Sequence, residues 1–534
     1  MPDDVRIPAV GSKPVARYAA LEERILARDQ VGTGEIFYDL VRQGRPLEEL
    51  VAEAVRIHAP YTHVPYHERI DDGYVNFVNN DHCLLSARMA MQYARLLPGK
   101  QALTALAQTY WYIPTGLDIW NQKIGKAPGH YTRAFKIPEG PPPPPVVHWP
   151  DQEPLATEGP LARRLDHWMT LVHRGNVLEA YRVFLGLMRN PAERQAVTAQ
   201  LAFAGLIDVQ DRSFQNRSYT TGHKAFRARA TIELGEALGW DAAHDVLYAG
   251  ALDIAVGPRW YSTYEMACNA TRVYLERETL HAIPYGGTSP RERAMMENSE
   301  PLTQPEIEKL IEIVLEGREP SHQRHLTALL NAGKSPRSIL DGLLLGAAQA
   351  VLQTQGDLNF SLSQHCYEYH NTLAWFWDKY EHPHRIKLLY LAASYLNQAS
   401  WNQRLMGEMK PLKIEAPAGA ASRSPAEMLG NLQTALVKLD AEASRSWTRA
   451  YLDSGADIQP LVRCIALAGS RIGNDPHNQE LAHCMIEDFL KSRAPDRSRL
   501  ILAAAHHTAL HRKYGDYLEA SRRYGIAVGA PELQ

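Results

Sequence analysis

The fold of this chain is decided by the stretch Ala328-Leu329-Leu330-Asn331-Ala332-Gly333 (residues 328–333) and by the residues that follow it. The apolar residues before Gly333 predict the end of a helix, and the glycine predicts the residue that terminates it. Ile339, Leu343 and Ala347-Ala348 then recur at the spacing of one helix face. The stretch therefore predicts two helices joined by a short turn that contains a glycine.

The same pattern occurs in other parts of the chain. Ala450 to Gly455 precede Leu461, Ile465 and Ala468, and Val41-Arg42-Gln43-Gly44 precede the helical pattern of Leu47 to Ile57. A shorter version occupies Leu201 to Gly205. Because such units bury their apolar faces against their neighbours, the pattern predicts an all-α fold, a multi-helix assembly of about four diverged helical repeat units.

Segments rich in proline and glycine divide the chain at three places. The predicted helical units are residues 1–137, 151–283, 306–410 and 426–534, and the predicted linkers are residues 138–150, 284–305 and 411–425. The first linker contains Pro141 to Pro145, which predicts a polyproline II segment. No alternating run of residues predicts a strand.

The composition excludes several classes of protein. Lys plus Arg is 57 and Asp plus Glu is 60, so the net charge is -3 and the balance lacks the basic surplus that a nucleic-acid-binding protein needs. The longest apolar runs, such as Leu343 to Leu352, are too short to span a bilayer. Five cysteines without a CxxC motif, and an N-terminus without a secretory pattern, predict a cytoplasmic protein with neither a membrane nor a nucleic-acid partner.

A histidine lies at the same point in each predicted unit, where a polar loop enters a long helix. These histidines are His82, His223, His365 and His477. A glycine or proline follows each of them at a similar distance, and a helix rich in Leu and Ala comes next. Polar residues before a helix commonly cap it, and that is the simplest interpretation of any one histidine. The fourfold recurrence favours a shared role.

Carboxylates accompany two of these histidines. Glu368 and Glu480 each lie three residues after a histidine, on the same helix face. His370 and His483 lie further along and point about 140° and 120° away, so any metal site must combine helices from different units. The predicted metal ligands are His82, His223, His365, His477, His483, Glu368 and Glu480, and the predicted catalytic residues are His223, His365 and His370. Imidazole ligands suit iron, copper or zinc.

A second alignment of the units stays open. His82-Cys83, His365-Cys366 and His483-Cys484 share a His-Cys pair, which would make His483 rather than His477 the fourth member of the set. A cysteine beside a histidine is either a thiolate ligand or a small buried apolar residue, and the second interpretation is favoured.

Other histidines and aromatic residues give weaker signals. His58, His63 and His67 form a loop series; His507 and His511 are a metal pair or part of a surface helix; His382 and His384 are predicted to be exposed. Two sets of aromatic residues predict a wall for a flat substrate or a bulky helix core: the first is Tyr367, Tyr369, Trp375, Phe376, Trp377 and Tyr380, and the second is residues 257–261.

Several common motifs are absent. The chain contains no GxGxxG after a strand and no phosphate-binding loop. HExxH and GxSxG are also missing. No C-x-H paired with C-x-x-H is present, which excludes a Rieske cluster held by this chain.

The segments His223-Lys224-Ala225-Phe226, Leu238-Gly239-Trp240 and His365 with Asn371 to Trp375 resemble the questin oxidase-like family. They also resemble a helical region found in some Rieske-type proteins. The resemblance covers roughly residues 40 to 520 and rests on short motifs. It implies an all-helical oxidoreductase that uses reduced nicotinamide (NADPH) on an aromatic substrate. Asp81 and Cys83 depart from the expected pattern, so the substrate is not carried over.

Two functions follow as hypotheses. The first is a metal-assisted oxidoreductase, of oxygenase type, with a small-molecule substrate in a central cavity lined by histidines and with a separate electron-transfer protein as an open possibility. The second is a non-catalytic helical scaffold, for which we expect exposed aromatic residues along one face and histidines that are hydrogen-bonded singly.

Overall fold

A computed structural model describes residues 17–59, 69–70, 73–74, 82–116, 153–209, 222–240, 244–255, 262–275, 288–355, 362–511, 513 and 515–533. Within these residues the chain forms twenty-three α-helices, so the prediction of an all-α multi-helix assembly is confirmed. The exception is a short antiparallel pair of strands, β1 (Arg69–Ile70) and β2 (Gly73–Tyr74). The number of repeat units stays a prediction.

The first half of the chain contributes eleven of the helices. The N-terminal five are α1 (Ala19–Leu26), α2 (Gln30–Arg42), α3 (Leu47–His58), α4 (His82–Leu96) and α5 (Thr104–Gly116), with a 3-10 helix at Gly99–Leu103. The next six are α6 (Leu161–Arg174), α7 (Val177–Met188), α8 (Arg194–Leu206), α9 (His223–Leu238), α10 (His244–Ile254) and α11 (Ser262–Ala270). A π-helical turn, Thr271–Leu275, follows α11.

The second half contributes the other twelve. They begin with α12 (Pro290–Met295), α13 (Gln304–Glu316), α14 (Ser321–Asn331), α15 (Pro336–Gln353), α16 (Leu362–Lys379) and α17 (Arg385–Leu405). The last six are α18 (Pro425–Val437), α19 (Ala441–Asp453), α20 (Ile458–Ile472), α21 (Pro476–Lys491), α22 (Ser498–Leu510) and α23 (Glu519–Val528). Two further 3-10 turns lie at Ala420–Ser422 and Pro531–Leu533.

The glycines of the helical pattern have two different roles. Gly44, Gly333 and Gly455 follow α2, α14 and α19 with positive φ angles of 75°, 83° and 67°, as expected for residues that end a helix. Gly205 lies inside α8, so its predicted role as a cap is wrong. A Cβ atom at Gly205 would lie 2.6 Å from the carbonyl oxygen of Lys224, and the glycine therefore lets α8 approach the start of α9.

Two of the three predicted linkers lie wholly or partly among the described residues. Residues 138–150 lie outside the described residues. The described part of the second linker contains α12, which begins with a capping box between Ser289 and Glu292. Glu292 is buried and lies 3.1 Å from the ammonium of Lys387 on α17, so the described part of this linker is helical and packs against the core. The third linker contains no regular structure before α18 apart from one 3-10 turn, and α18 begins at its last residue, Pro425.

A closed ring of four helices positions the histidines. Helix α4 packs against α21, α21 against α16, α16 against α9, and α9 against α4. Each predicted unit contributes one helix to this ring, and the buried apolar residues of all four units form one continuous core. The ring helices are buried on several faces; α16 buries every side chain from Leu362 to Trp377.

Few large apolar side chains are exposed in the described part of the chain. None of them is aromatic, and they lie on six helices or at their ends: Leu26, Val31, Leu178, Leu405, Met406, Leu490 and Ile526. Among the helices of these described ranges, none combines the length and the apolar character needed to cross a bilayer.

Candidate metal centre

The four histidines at helix starts meet at one end of the ring. His82 and His223 are the first residues of α4 and α9, His477 is the second residue of α21, and His365 lies in the first turn of α16. All four side chains are buried. The prediction that imidazoles far apart in the chain converge is therefore confirmed, whereas their chemical role stays a prediction.

His477 occupies the centre of the group. Its Nε2 atom lies 3.0 Å from Nε2 of His82 and 3.3 Å from Nε2 of His223. The ring centroid of His365 lies 4.8 Å from that of His477 and 5.1 Å from that of His223. The four rings share one site, and they are not four independent helix caps.

The other side of the His477 ring contacts a carboxylate. Nδ1 of His477 lies 2.9 Å from Oε1 of Glu368 on α16. Burial lowers the pKa of His477, but the Glu368 carboxylate outweighs that effect and raises it. Burial likewise raises the pKa of Glu368, and the charge of His477 opposes the rise. Nδ1 therefore donates its proton to Glu368, and a carboxylate orients a ligating histidine in this way in carboxylate–histidine–metal triads.

A single hydrogen bond does not account for both contacts of the His477 ring nitrogen. Nε2 of His477 faces two other Nε2 atoms, and one nitrogen can make only one full N–H···N hydrogen bond with them. A metal ion satisfies all three nitrogens at once. A zinc–nitrogen bond of about 2.0–2.1 Å places two tetrahedral ligands roughly 3.3–3.4 Å apart, close to the separations that Nε2 of His477 makes with its neighbours.

The protonation state of His223 also fits a metal ligand. Burial lowers the pKa of His223, and the nearby His365 and His477 lower it further, so the ring is held neutral as a metal ligand requires. Oε2 of Glu368 is buried and has no hydrogen-bond partner among the described residues. Two sets of possible ligands meet the spacing of a metal site and share His477: His82, His223 and His477, and His365, Glu368 and His477.

Glu480 has a different partner from the one predicted. Its Oε1 lies 2.9 Å from Nη1 of Arg88, and both side chains are only 1% exposed. The charge of Glu480 still reaches His477 and raises its pKa. Because Arg88 binds the carboxylate, the structure does not bring Glu480 into either set of possible ligands, and the predicted ligands that it does bring together are His82, His223, His365, Glu368 and His477.

His370 and His483 also lie away from the group. Nδ1 of His370 is 2.7 Å from the carbonyl oxygen of Cys366, one helical turn earlier, and burial lowers the pKa of His370 to about 4. The ring of His483 packs against Tyr93 at 5.4 Å, and burial lowers its pKa to about 4 as well. Five or six residues along a helix turn a side chain away and move it by about 7–9 Å, which explains why neither ring joins the four histidines.

The competing alignment through the His-Cys pairs is resolved. His477, and not His483, is the residue that meets the histidines of the other three units. Cys83, Cys366 and Cys484 are buried, and burial raises the pKa of each thiol. These cysteines are therefore neutral apolar residues of the core, as favoured from the sequence.

The prediction that His382 and His384 are exposed is wrong. Both are buried, and their rings stack on Phe203 of α8 with centroid distances of 4.3 and 5.4 Å. Burial lowers the pKa of both to about 3. A turn that contains a proline suggests a surface position only when no other helix covers it, and here α8 does.

The other histidines noted in the sequence belong to two groups, the series His58, His63 and His67 and the pair His507 and His511. His58 is buried at the end of α3, whereas His63 and His67 lie outside the described residues. His507 and His511 are buried with their ring centroids 4.9 Å apart, so the interpretation as a surface helix is wrong. They are not among the sets of possible metal ligands within the described ranges.

The first aromatic set is part of the core. Its six members on and after α16 are buried: Tyr367, Tyr369, Trp375, Phe376, Trp377 and Tyr380. The Tyr369 hydroxyl donates to the carbonyl oxygen of Leu206 at 2.9 Å, which fixes it as a packing residue. Residues 257–261 lie outside the described part of the chain.

The sequence analysis did not predict a layer of buried charged residues that lies further along the ring helices than the histidines. Arg88 lies 2.7 Å from Glu233, and Arg229 lies 2.9 Å from Glu233 and 2.7 Å from Glu487. The two arginines lie six residues after the histidines of α4 and α9, and the two glutamates lie ten residues after those of α9 and α21. Aligning the four helices on their histidines would have revealed this second layer.

The comparisons with known proteins add nothing to this geometry. No protein-family model matches the chain, and searches of curated protein sequences and of solved structures likewise returned no match. The arrangement of the histidines and of Glu368 is therefore the basis on which a function can be inferred.

Proposed function

We propose that the protein is a metal-dependent oxidoreductase that acts on a small substrate. The observation that carries the proposal is the contact of the Nε2 atoms of His82 and His223 with Nε2 of His477 at 3.0 and 3.3 Å in a buried site. These three nitrogens would hold the metal, His365 lies beside them, and Glu368 would orient His477 through Nδ1.

The alternative of a non-catalytic scaffold has less support. That hypothesis expects exposed aromatic residues on one face, and the exposed large apolar residues of the described ranges are all aliphatic. It also expects histidines that are hydrogen-bonded singly, whereas the four rings here share one site.

The choice of metal decides the class of reaction. Imidazole ligands suit iron, copper and zinc, but zinc has no redox chemistry and would supply only Lewis-acid catalysis. The proposal of an oxidoreductase therefore requires iron or copper, and it draws on the resemblance of His223-Lys224-Ala225-Phe226 to the questin oxidase-like family. Reduced nicotinamide or a separate electron-transfer protein would supply electrons.

Metal analysis of the full chain, purified without a histidine tag, tests the proposal. We expect wild-type protein to retain a stoichiometric transition metal, and His82→Ala and His477→Ala to lose it. His370→Gln and His483→Gln are the matched controls, because each removes a buried histidine from the same helices or their neighbours without touching the group. Circular dichroism would verify that each variant folds.

The results of these measurements test the metal centre and the oxidoreductase activity separately. Iron or copper lost only from the first two variants supports it, and oxygen uptake with aromatic substrates then tests the redox activity. Retention of metal in all four variants would place the metal elsewhere and overturn the proposed centre. Zinc alone, after loading with each metal in turn, would support the centre and contradict the oxidoreductase.

A further inference from the structure

A second group of polar residues lies directly beside the candidate metal centre. His507 on α22 accepts a hydrogen bond at Nδ1 from the side-chain amide of Gln364, at 3.2 Å. Lys513 donates from Nζ to the side-chain oxygen of Asn478, at 2.7 Å. Gln364 immediately precedes His365, and Asn478 immediately follows His477. Each member of the second group is thus held by a neighbour of a candidate ligand.

The hydrogen-bond pattern gives His507 an unused donor. Because Gln364 donates to Nδ1, the proton of the neutral ring lies on Nε2. That Nε2 atom is buried and has no hydrogen-bond partner among the described residues, and the side chain is only 1% exposed. A buried N–H donor without an acceptor is costly, so the position favours a ligand that supplies an acceptor.

The charges around His507 favour an anion. Burial lowers the pKa of His507, and the neighbouring His511 and Lys513 lower it further. Burial also lowers the pKa of Lys513, to about 7, although the charge of Asp475 opposes the fall. Asp475 itself caps α21, where its carboxylate accepts from the backbone N–H of His477 at 3.0 Å. An anion beside Lys513 would stabilise its charged form.

The ring of helices also makes the electrostatic potential around His507 and Lys513 more positive. Helices α4, α9, α16 and α21 all begin at this end of the ring, and helix N-termini carry partial positive charge. The carboxylates nearest His477 are those of Glu368, Asp475 and Glu480, and Arg88 neutralises the last of these. A metal cation in the group would make the region more positive still.

We propose that His507 and Lys513 form an oxyanion-binding subsite, and that the substrate is an organic anion whose ionised oxygen binds there. The Nε2 proton of His507 and the ammonium of Lys513 donate to that oxygen, while the rest of the molecule extends toward the histidine group. The identification of the anion as a substrate rests on the proposed function. The binding of an anion by His507 and Lys513 does not depend on that function.

Calorimetric titration with benzoate and with its neutral isostere benzamide tests the subsite. Wild-type protein, as purified and after removal of metal by a chelator, should bind benzoate more tightly than benzamide. Losing one charge-assisted hydrogen bond costs about 1.5–3 kcal/mol, so His507→Gln and Lys513→Met should each weaken benzoate binding roughly 10- to 100-fold. Lys513→Arg should restore most of the affinity, and metal content should equal that of the wild type.

Matched controls separate the subsite from general effects of charge. His506→Gln changes the adjacent histidine, whose Nδ1 contacts Arg445 at 2.7 Å, and Lys491→Met removes an exposed cation from the far end of α21. Both should bind benzoate as the wild type does. Thermal melts followed by circular dichroism would verify the fold of every variant.

The outcomes distinguish this inference from the proposed function. Equal affinity for benzoate and benzamide, or unchanged benzoate binding in His507→Gln and Lys513→Met, would overturn the subsite. Benzoate binding that disappears with the metal would place the anion on the metal and also overturn it. A protein that binds no metal but prefers benzoate, and loses this preference in the variants, would retain the subsite and reject the metal centre.

Discussion

Replacing Arg229 by methionine should destabilise the protein by an amount that its contacts define. The guanidinium is fully buried and donates to Glu233, Glu487 and Asn371 at 2.9, 2.7 and 2.5 Å, and it lies over the Trp375 ring at 5.2 Å. Removing one partner of a buried ion pair costs about 3–5 kcal/mol, because the other charge loses a buried counter-ion. Glu487 is the group most affected, because its remaining partner is the exposed Lys491 at 2.7 Å, whereas Glu233 keeps its contact with the buried Arg88.

Differential scanning calorimetry measures this effect. The entropy of unfolding for a chain of this length is about 1.1 kcal/mol per kelvin, so the melting temperature should fall by roughly 3–5 °C. Arg449→Met is the matched control: it removes an arginine paired with Asp453 on the surface of α19, where the expected loss is about 0–1 kcal/mol. Adding Glu487→Leu to Arg229→Met should recover part of the stability. If Arg229→Met melts within about 1 °C of the control, the ion pairs of Arg229 with Glu233 and Glu487 do not stabilise the ring of helices.

Three further outcomes are expected. Gly205→Ala should push the start of α9 away and lower both the melting temperature and the retained metal, whereas Gly430→Ala, with open space around it, should keep both, as melts and metal analysis would show. Glu368→Gln should weaken metal binding by about 10- to 100-fold without abolishing it, because it orients a ligand; competition with a chelator measures this, and complete loss would make Glu368 a direct ligand. Burial lowers the pKa of His322 to about 4, so the unfolded chain, with a pKa near 6.5, binds the proton more tightly. The stability from this residue is present above pH 6.5 and is lost as the pH falls toward 4; melts of His322→Gln should decline less over that range, and parallel curves would contradict the assignment.

The candidate site was found in part because its histidines have a regular place along the chain. His82, His223, His365 and His477 were identified as one set from the similar order of helices and breakers around them. Residues five or six positions apart on one helix point in different directions, so the sequence also indicated that a metal site must combine helices from different units. The structure brings these four rings together and selects His477 over His483.

Other members of the site depended on partners from distant segments. Glu368 and Glu480 have the same spacing from their histidines, yet one contacts His477 and the other is bound by Arg88, from the first unit. The role of His507 beside the group required α22 to lie against α21 and Gln364 to come from α16. Nothing in the local sequence distinguishes these cases.

The sequence by itself determined the helical class, the glycines that end α2, α14 and α19, and the placement of one histidine at the start of each ring helix. These features depend on residues within a turn or two, whose spacing and backbone preferences act locally. Only the tertiary structure decided which rings face one another, which carboxylate reaches them and which histidines are buried. Those outcomes depend on how helices hundreds of residues apart are rotated and packed, because a side chain's neighbours across a helix interface are set by the fold and not by its position in the chain.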